Sequence, residues 1–259
     1  MTELEKYYNK FNEDKRLQRR HGNVEYVTSM KYIHDYLDTE KKSKILDIGA
    51  GTGGYCVALA NEGYDCTAIE LVKYNLGILK SKKSTVKAYQ GNALKLKRFD
   101  DESFDIVLLF GPMYHLCRRE DKVQALKEAV RVTKRGGVIF VAYVMNEYSI
   151  LTYGFKENNI LKAIADHKVS KEFRVMPAEE DLYDYVRLED INSYNESVEG
   201  IERIKIISAD GPADYMRTIL NKMDEETYRK FIEYHLATCE RPELLGAGAH
   251  TVDILRKQP

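Results

Sequence analysis

Cysteine is scarce and scattered: the 259-residue chain has four, Cys56, Cys66, Cys117 and Cys239, with no C-x-x-C pair. That pattern suggests neither a disulfide framework nor a zinc site, and it fits thiols kept reduced in a cytosol. A charge excess of either sign is also missing. Forty basic residues face 41 acidic ones, for a formal net charge of −1, so no global field gathers nucleic acid or an anionic membrane surface. No apolar run reaches the length of a membrane span, and the opening Met1-Thr2-Glu3-Leu4-Glu5-Lys6 is charged where a secretion signal would turn apolar. The expectation is a cytoplasmic protein without a bound metal, a nucleic-acid partner or a membrane partner. Tryptophan is absent while tyrosine occurs 19 times, which points to amphipathic pocket walls without identifying a ligand.

What is present is an alternating pattern. Helical spacing of Val24, Val27, Met30, Ile33 and Leu37 predicts an amphipathic helix over 23–39. Strands are expected near 44–49, 65–70, 85–89, 104–110 and 137–144, with helices near 53–62, 73–83 and 119–134 between them. Such alternation builds a parallel sheet covered by helices on both faces. Gly136-Gly137 reads as the turn before the fifth strand. The rhythm then breaks: residues 146–199 read as an inserted cap, with a helix over Ile150–Ala165 and short β-like pieces near Phe173–Val175 and Tyr185–Arg187. Ile201–Ile207 and Thr251–Arg256 read as two last strands, separated by helical segments Tyr215–Met223 and Glu225–Cys239. At this length the chain suits one domain, residues 1–259, with residues 1–40 as an N-terminal helical lid.

The run Ile45-Leu46-Asp47-Ile48-Gly49-Ala50-Gly51-Thr52-Gly53-Gly54 joins a buried strand to a helix. Its glycines remove side chains where backbone must meet a ligand, and the helix that follows points free N–H groups at that turn. Gly49, Gly51 and Gly54 also satisfy G-x-G-x-x-G, so the turn alone leaves a nicotinamide or flavin enzyme open. Asp47 discriminates, because a strand-end carboxylate repels a pyrophosphate but suits an ammonium group. S-adenosylmethionine carries an ammonium and a carboxylate. Glu70 ends the second strand, 17 positions after Gly53, where a carboxylate accepts hydrogen bonds from ribose hydroxyls. Leu71 beside it, Asn92 and Ala93 after the third strand, and Phe110 after the fourth complete the expected cofactor wall with Gly49, Ala50, Gly51 and Gly53.

The turn Phe110-Gly111-Pro112-Met113-Tyr114-His115-Leu116 ends on a phenol and an imidazole. His115 is the candidate general base, since an imidazole takes a proton near neutral pH; Tyr114 is its neighbour or a pocket wall. The N-terminal segment is rich in rings and bases: Tyr7, Tyr8, Phe11, Lys15, Arg16, Arg19, Arg20 and His21. As a lid it places Tyr7 against a sulfonium and Arg19 against a carboxylate, with His21 a further candidate base. Glu179, Glu180, Asp181 and Asp184 read as a solvated acidic turn.

Together these features resemble the class I S-adenosylmethionine-dependent methyltransferases. Ile45–Gly53 is similar to that family's first motif, Glu70 to its acidic second-strand end, and Gly91-Asn92-Ala93 to its third-strand motif, with Asn where Asp is commoner. Ser103–Leu109 resembles the fourth strand, Leu126–Gly137 the helix and turn before the fifth, and Arg241–Gly246 a feature of small bacterial members. The resemblance implies an α/β, Rossmann-like, seven-stranded, mostly parallel sheet whose last strand, Thr251–Arg256, is antiparallel. It implies S-adenosyl-L-methionine as cofactor and in-line methyl transfer. Gly111-Pro112-Met113-Tyr114 is not the N/D-P-P-Y motif of base-amine methylating enzymes, so the expected partner is a small-molecule acceptor. A non-catalytic S-adenosylmethionine or S-adenosylhomocysteine sensor is the alternative; an NAD(P)-dependent oxidoreductase is opposed by Asp47 and the antiparallel last strand.

Overall fold

The alternating buried runs assemble into one seven-stranded sheet. The structure, a computed structural model, describes residues 3–8, 16, 17 and 19–259; Phe11 and Lys15 lie outside the described residues. The strands are β1 (Lys44–Ile48), β2 (Asp65–Glu70), β3 (Lys87–Gln90), β4 (Phe104–Leu109), β5 (Thr133–Val144), β6 (Ile201–Ser208) and β7 (His250–Lys257). Their order is β3-β2-β1-β4-β5-β7-β6. β7 runs antiparallel to both β5 and β6, and the other pairings are parallel.

Residue parity sorts the core into two layers, as a strand's alternating side chains require. Leu46, Ile48, Val107, Leu109, Ile139 and Val141 pack on one face with the helix Arg119–Val132. Ile45, Ile106, Leu108, Val138 and Phe140 pack on the other with helices Arg20–His34, Gly54–Asn61 and Lys73–Ser81. The sheet is therefore dry on both faces. The chain order reverses between β1 and β4, which opens a crevice at the carboxyl ends of those strands.

Several boundaries differ from expectation for physical reasons. The first long helix covers Arg20–His34 rather than 23–39; Leu37 packs on the core from the turn beyond it. Gly136-Gly137 lies inside β5, not before it. Between Phe104↔Thr133 and Ile106↔Val138 the register jumps, and Gly136 at φ 74° takes up the extra residues as a bulge. The helix expected over Ile150–Ala165 is divided into a π-helical turn, Ile150–Lys156, and a helix, Ile160–Ala165, with Asn158 at φ 59° between them. The segments near Phe173–Val175 and Tyr185–Arg187 form isolated bridges, Val169↔Val175 and Met145↔Val186. The segment Tyr215–Met223 is helical only over Arg217–Leu220.

Candidate active site

After β1 the chain turns through Gly49 to Gly53 and enters the helix Gly54–Asn61. Glu70 holds that turn from the neighbouring strand: its Oε2 accepts the Gly51 N–H at 2.7 Å and its Oε1 accepts the Val72 N–H at 2.6 Å. Each oxygen keeps lone-pair capacity for a further donor. Burial pushes the Glu70 carboxyl up, against the pull of these N–H bonds. Gly51 sits at φ 55°, and a Cβ built there meets nothing within 4 Å. This part of the turn faces open space.

That space is a cavity of about 1060 Å³. Asp47, Gly49, Ala50, Gly51, Glu70, Leu71, Asn92, Ala93 and Phe110 line it, as do Tyr114 and His115. Three expected cofactor residues lie outside this cavity's lining. Gly53 lies off the cavity; a Cβ there would come within 2.0 Å of Leu79 Cδ1, so helix packing requires the glycine. Tyr7 and Arg19 line a neighbouring chamber instead.

Asp47 tests what the cavity holds. It is buried, and its Oδ2 has no hydrogen-bond partner among the described residues. Burial pushes its carboxyl up to about 7, against hydrogen bonds from Cys56. An ammonium group supplies the missing donor and restores the charged carboxylate. The cavity thus offers one carboxylate suited to an ammonium and another, Glu70, suited to hydroxyls. S-adenosylmethionine carries both, an ammonium on its methionine portion and hydroxyls on its ribose.

The neighbouring chamber measures about 1510 Å³, and Tyr8, Arg16, Glu25 and Tyr114 line both spaces. His21 lines the chamber alone, with Nδ1 3.0 Å from Asn221 Oδ1. His115, the expected base, has both ring nitrogens engaged. Nδ1 donates to the Leu182 carbonyl at 2.7 Å, which fixes the tautomer and leaves Nε2 to accept from the Tyr8 hydroxyl at 2.8 Å. Burial drives its pKa down to about 4. The ring therefore ties the helix Glu3–Tyr8 to residue 182 across the cavity.

The acidic turn is corrected in part. Glu179 and Glu180 are exposed, but Asp184 is buried and pairs at 3.1 Å with Lys122, whose side chain is wholly buried. Lys122 Nζ also donates to the Met113 carbonyl, and the Asp184 N–H donates to the Tyr114 carbonyl. The segment 181–184 is thus pinned to the turn that carries Tyr114 and His115.

Residues 46–141 match the methyltransferase domain family. The chain is 33% identical over 150 residues to norajmaline N-methyltransferase of Rauvolfia serpentina, covering 54% of this chain and 50% of that protein. It is 32% identical over 116 residues to a demethylmenaquinone methyltransferase of Chlorobaculum tepidum, covering 44% and 46%. Residues 46–141 thus carry a methyltransferase domain. A solved S-adenosylmethionine-dependent methyltransferase from Thermotoga maritima shares the fold, with TM-score 0.60 and 21% identity over 99% of both chains. The chain spans about half the length of the curated relatives it matches.

The cavity's two carboxylates fit S-adenosylmethionine, the methyl donor that the solved Thermotoga maritima protein is named for. One cluster was not anticipated from sequence. His250 Nδ1 lies 2.8 Å from Asp210 Oδ2 and 3.7 Å from Glu25 Oε2, while Arg16 Nη1 pairs with Glu25 at 2.6 Å. Burial opposes the His250 charge, but Glu25 and Asp210 outweigh it and lift the ring to about 9. Burial likewise opposes the Glu25 charge, but Arg16 and His250 hold that carboxyl at about 2. The three groups present ligand-capable atoms within 4.8 Å of one another, and the charges close as an ion-pair network. The available signal was topological: an antiparallel last strand begins beside the carboxyl ends of its neighbours, here with His250 opposite Val144.

Proposed function

We propose that this protein transfers the methyl group of S-adenosylmethionine to a small-molecule acceptor that enters through the tyrosine-rich chamber. The observation that carries this reading is adjacency: Tyr8, Arg16, Glu25 and Tyr114 line both the cavity and the chamber, so the two spaces share one wall. A polynucleotide acceptor is disfavoured by the near-zero net charge. No helix among the described residues is long and apolar enough to cross a membrane.

When bound, S-adenosylmethionine supplies a methyl carbon made electrophilic by its sulfonium. Asp47 would receive the ammonium, and Glu70 the ribose hydroxyls. The Gly49–Gly51 backbone would lie along the methionine portion, with Ala93 and Phe110 beside the rings. The chain's remaining contribution is alignment and exclusion of water, which can supply roughly 7 to 11 kcal/mol. The helix Glu3–Tyr8, with Leu4 and Tyr8 on the cavity and Tyr7 on the chamber, serves as a lid over both. His115 positions that lid; its engaged nitrogens and low pKa suit it poorly for proton removal at neutral pH.

The test is a coupled assay for S-adenosylhomocysteine release, run against a panel of phenols, carboxylates, amines and thiols. Turnover of one class is expected. Tight cosubstrate binding without turnover of any class would favour a sensor.

A further inference from the structure

We propose that the His250–Asp210 pair is the acceptor-holding centre of the chamber, and that the acceptor is an aromatic small molecule bearing an ionised oxygen. This rests on the cofactor reading above and names the substrate class of the same site.

Charge accounting within the chamber decides the sign of its ligand. Its three carboxylates are already committed. Glu25 faces Arg16 and His250; Asp210 accepts the His250 ring at 2.8 Å and the His250 backbone N–H at 3.0 Å. Asp214 accepts from Arg217 through Nε at 3.1 Å and Nη2 at 2.9 Å, and from the Tyr148 hydroxyl. None is left to neutralise an incoming ammonium. Two cationic donors remain open among the described residues: the exposed Arg19 guanidinium has no partner, and His250 Nε2 has none. Asp210 fixes the His250 ring through Nδ1, so Nε2–H is the end left for a ligand. An imidazolium N–H and a guanidinium facing one chamber select an oxyanion.

The walls select the body of the ligand. Tyr114, Tyr183 and Tyr185 present rings in series, with centroids 6.1 Å apart between the first two and 6.2 Å between the last two. Tyr114 also stands 6.4 Å from the His250 ring. Tyr148 spends its hydroxyl on Asp214, and Tyr183 is hydrogen-bonded to Tyr7, so these walls act mainly through their faces and edges. Such walls suit a planar aromatic body. The groups facing the imidazole are the Asp210 and Glu25 carboxylates, both at Nδ1, with Arg16 paired to Glu25, and the Tyr114 ring.

The probe is benzoate, with benzamide and benzylammonium as neutral and cationic counterparts, added to the full chain saturated with S-adenosylhomocysteine. Calorimetry reads affinity, and NMR of 15N-labelled histidine reads His250. Benzoate is expected to bind at least tenfold more tightly than either counterpart and to shift the His250 Nε2 resonance. Its affinity should fall above pH 9, and by at least tenfold in Asp210→Asn. The wild-type resonance shift keeps the test valid if that variant misfolds. Equal or tighter binding of benzamide or benzylammonium would overturn the proposal, as would benzoate binding that leaves His250 unmoved. Failure of S-adenosylhomocysteine itself to bind would overturn the cofactor reading, and this proposal with it. Binding of S-adenosylhomocysteine without any benzoate response would overturn this proposal alone.

Discussion

The Glu70 carboxylate and the Gly51 backbone N–H meet at 2.7 Å, tying the end of β2 to the glycine turn after β1. One residue therefore shapes the turn and lines the cavity. Glu70→Ala removes charged hydrogen bonds worth about 1.5 to 3 kcal/mol each, so S-adenosylhomocysteine affinity is expected to fall by tenfold or more. Titration calorimetry on the folded variant checks this; an unchanged Kd would leave Glu70 with the turn alone.

Gly51→Val aims a branched side chain into the open cavity from a backbone at φ 55°. Left-handed backbone costs a non-glycine residue about 1 to 2 kcal/mol, so the fold should survive while binding is lost. Thermal unfolding and calorimetry on one sample separate the two effects. A variant that binds normally would place the ligand on the other side of the turn.

Stability should fall at both ends of the pH range. His250 is raised from 6.5 to about 9 in the fold, so its contribution is complete below about 6.5 and is lost as pH rises through 9. His115 is lowered to about 4, so its contribution is complete above 6.5 and is lost as pH falls toward 4. Urea midpoints across pH 4 to 10 read both. His250→Gln should flatten the alkaline limb, and His115→Asn the acidic one.

In turnover, His115→Asn should lower kcat by less than tenfold, because the Asn amide can still donate to the Leu182 carbonyl. A loss of 10² or more, with a limb near pH 6 to 7 in wild type, would restore His115 as the base.

Asp253 is fully buried and accepts Arg203 at 2.6 and 2.9 Å and Asn195 at 2.7 Å. Asp253→Ala strands part of that network and should cost about 3 to 5 kcal/mol. A urea midpoint within error of wild type would refute this.

The sheet was legible from sequence because strands buried on both faces read as apolar runs, as in Val138–Val144, and because helices separate them at regular intervals. Asp47 and Glu70 were legible because they sit at the carboxyl ends of β1 and β2, and Gly51 because it lies in the glycine turn after β1. Gly53 is ambiguous in sequence, because close packing against Leu79 and close approach of a ligand demand the same residue. Asp184 was misread because its sequence neighbours are exposed acids, whereas its partner Lys122 lies on a distant helix. Glu25, Asp210 and His250 were invisible as a cluster, since only the antiparallel return of β7 brings them together.

Calorimetric titration of the purified chain with S-adenosylhomocysteine and with NAD asks which ligand the cavity at the carboxyl ends of β1, β2 and β4 takes. Micromolar S-adenosylhomocysteine binding is expected, with NAD weaker by about 100-fold, roughly 2.8 kcal/mol. NAD binding of comparable strength would rule out S-adenosylmethionine as the ligand this cavity selects.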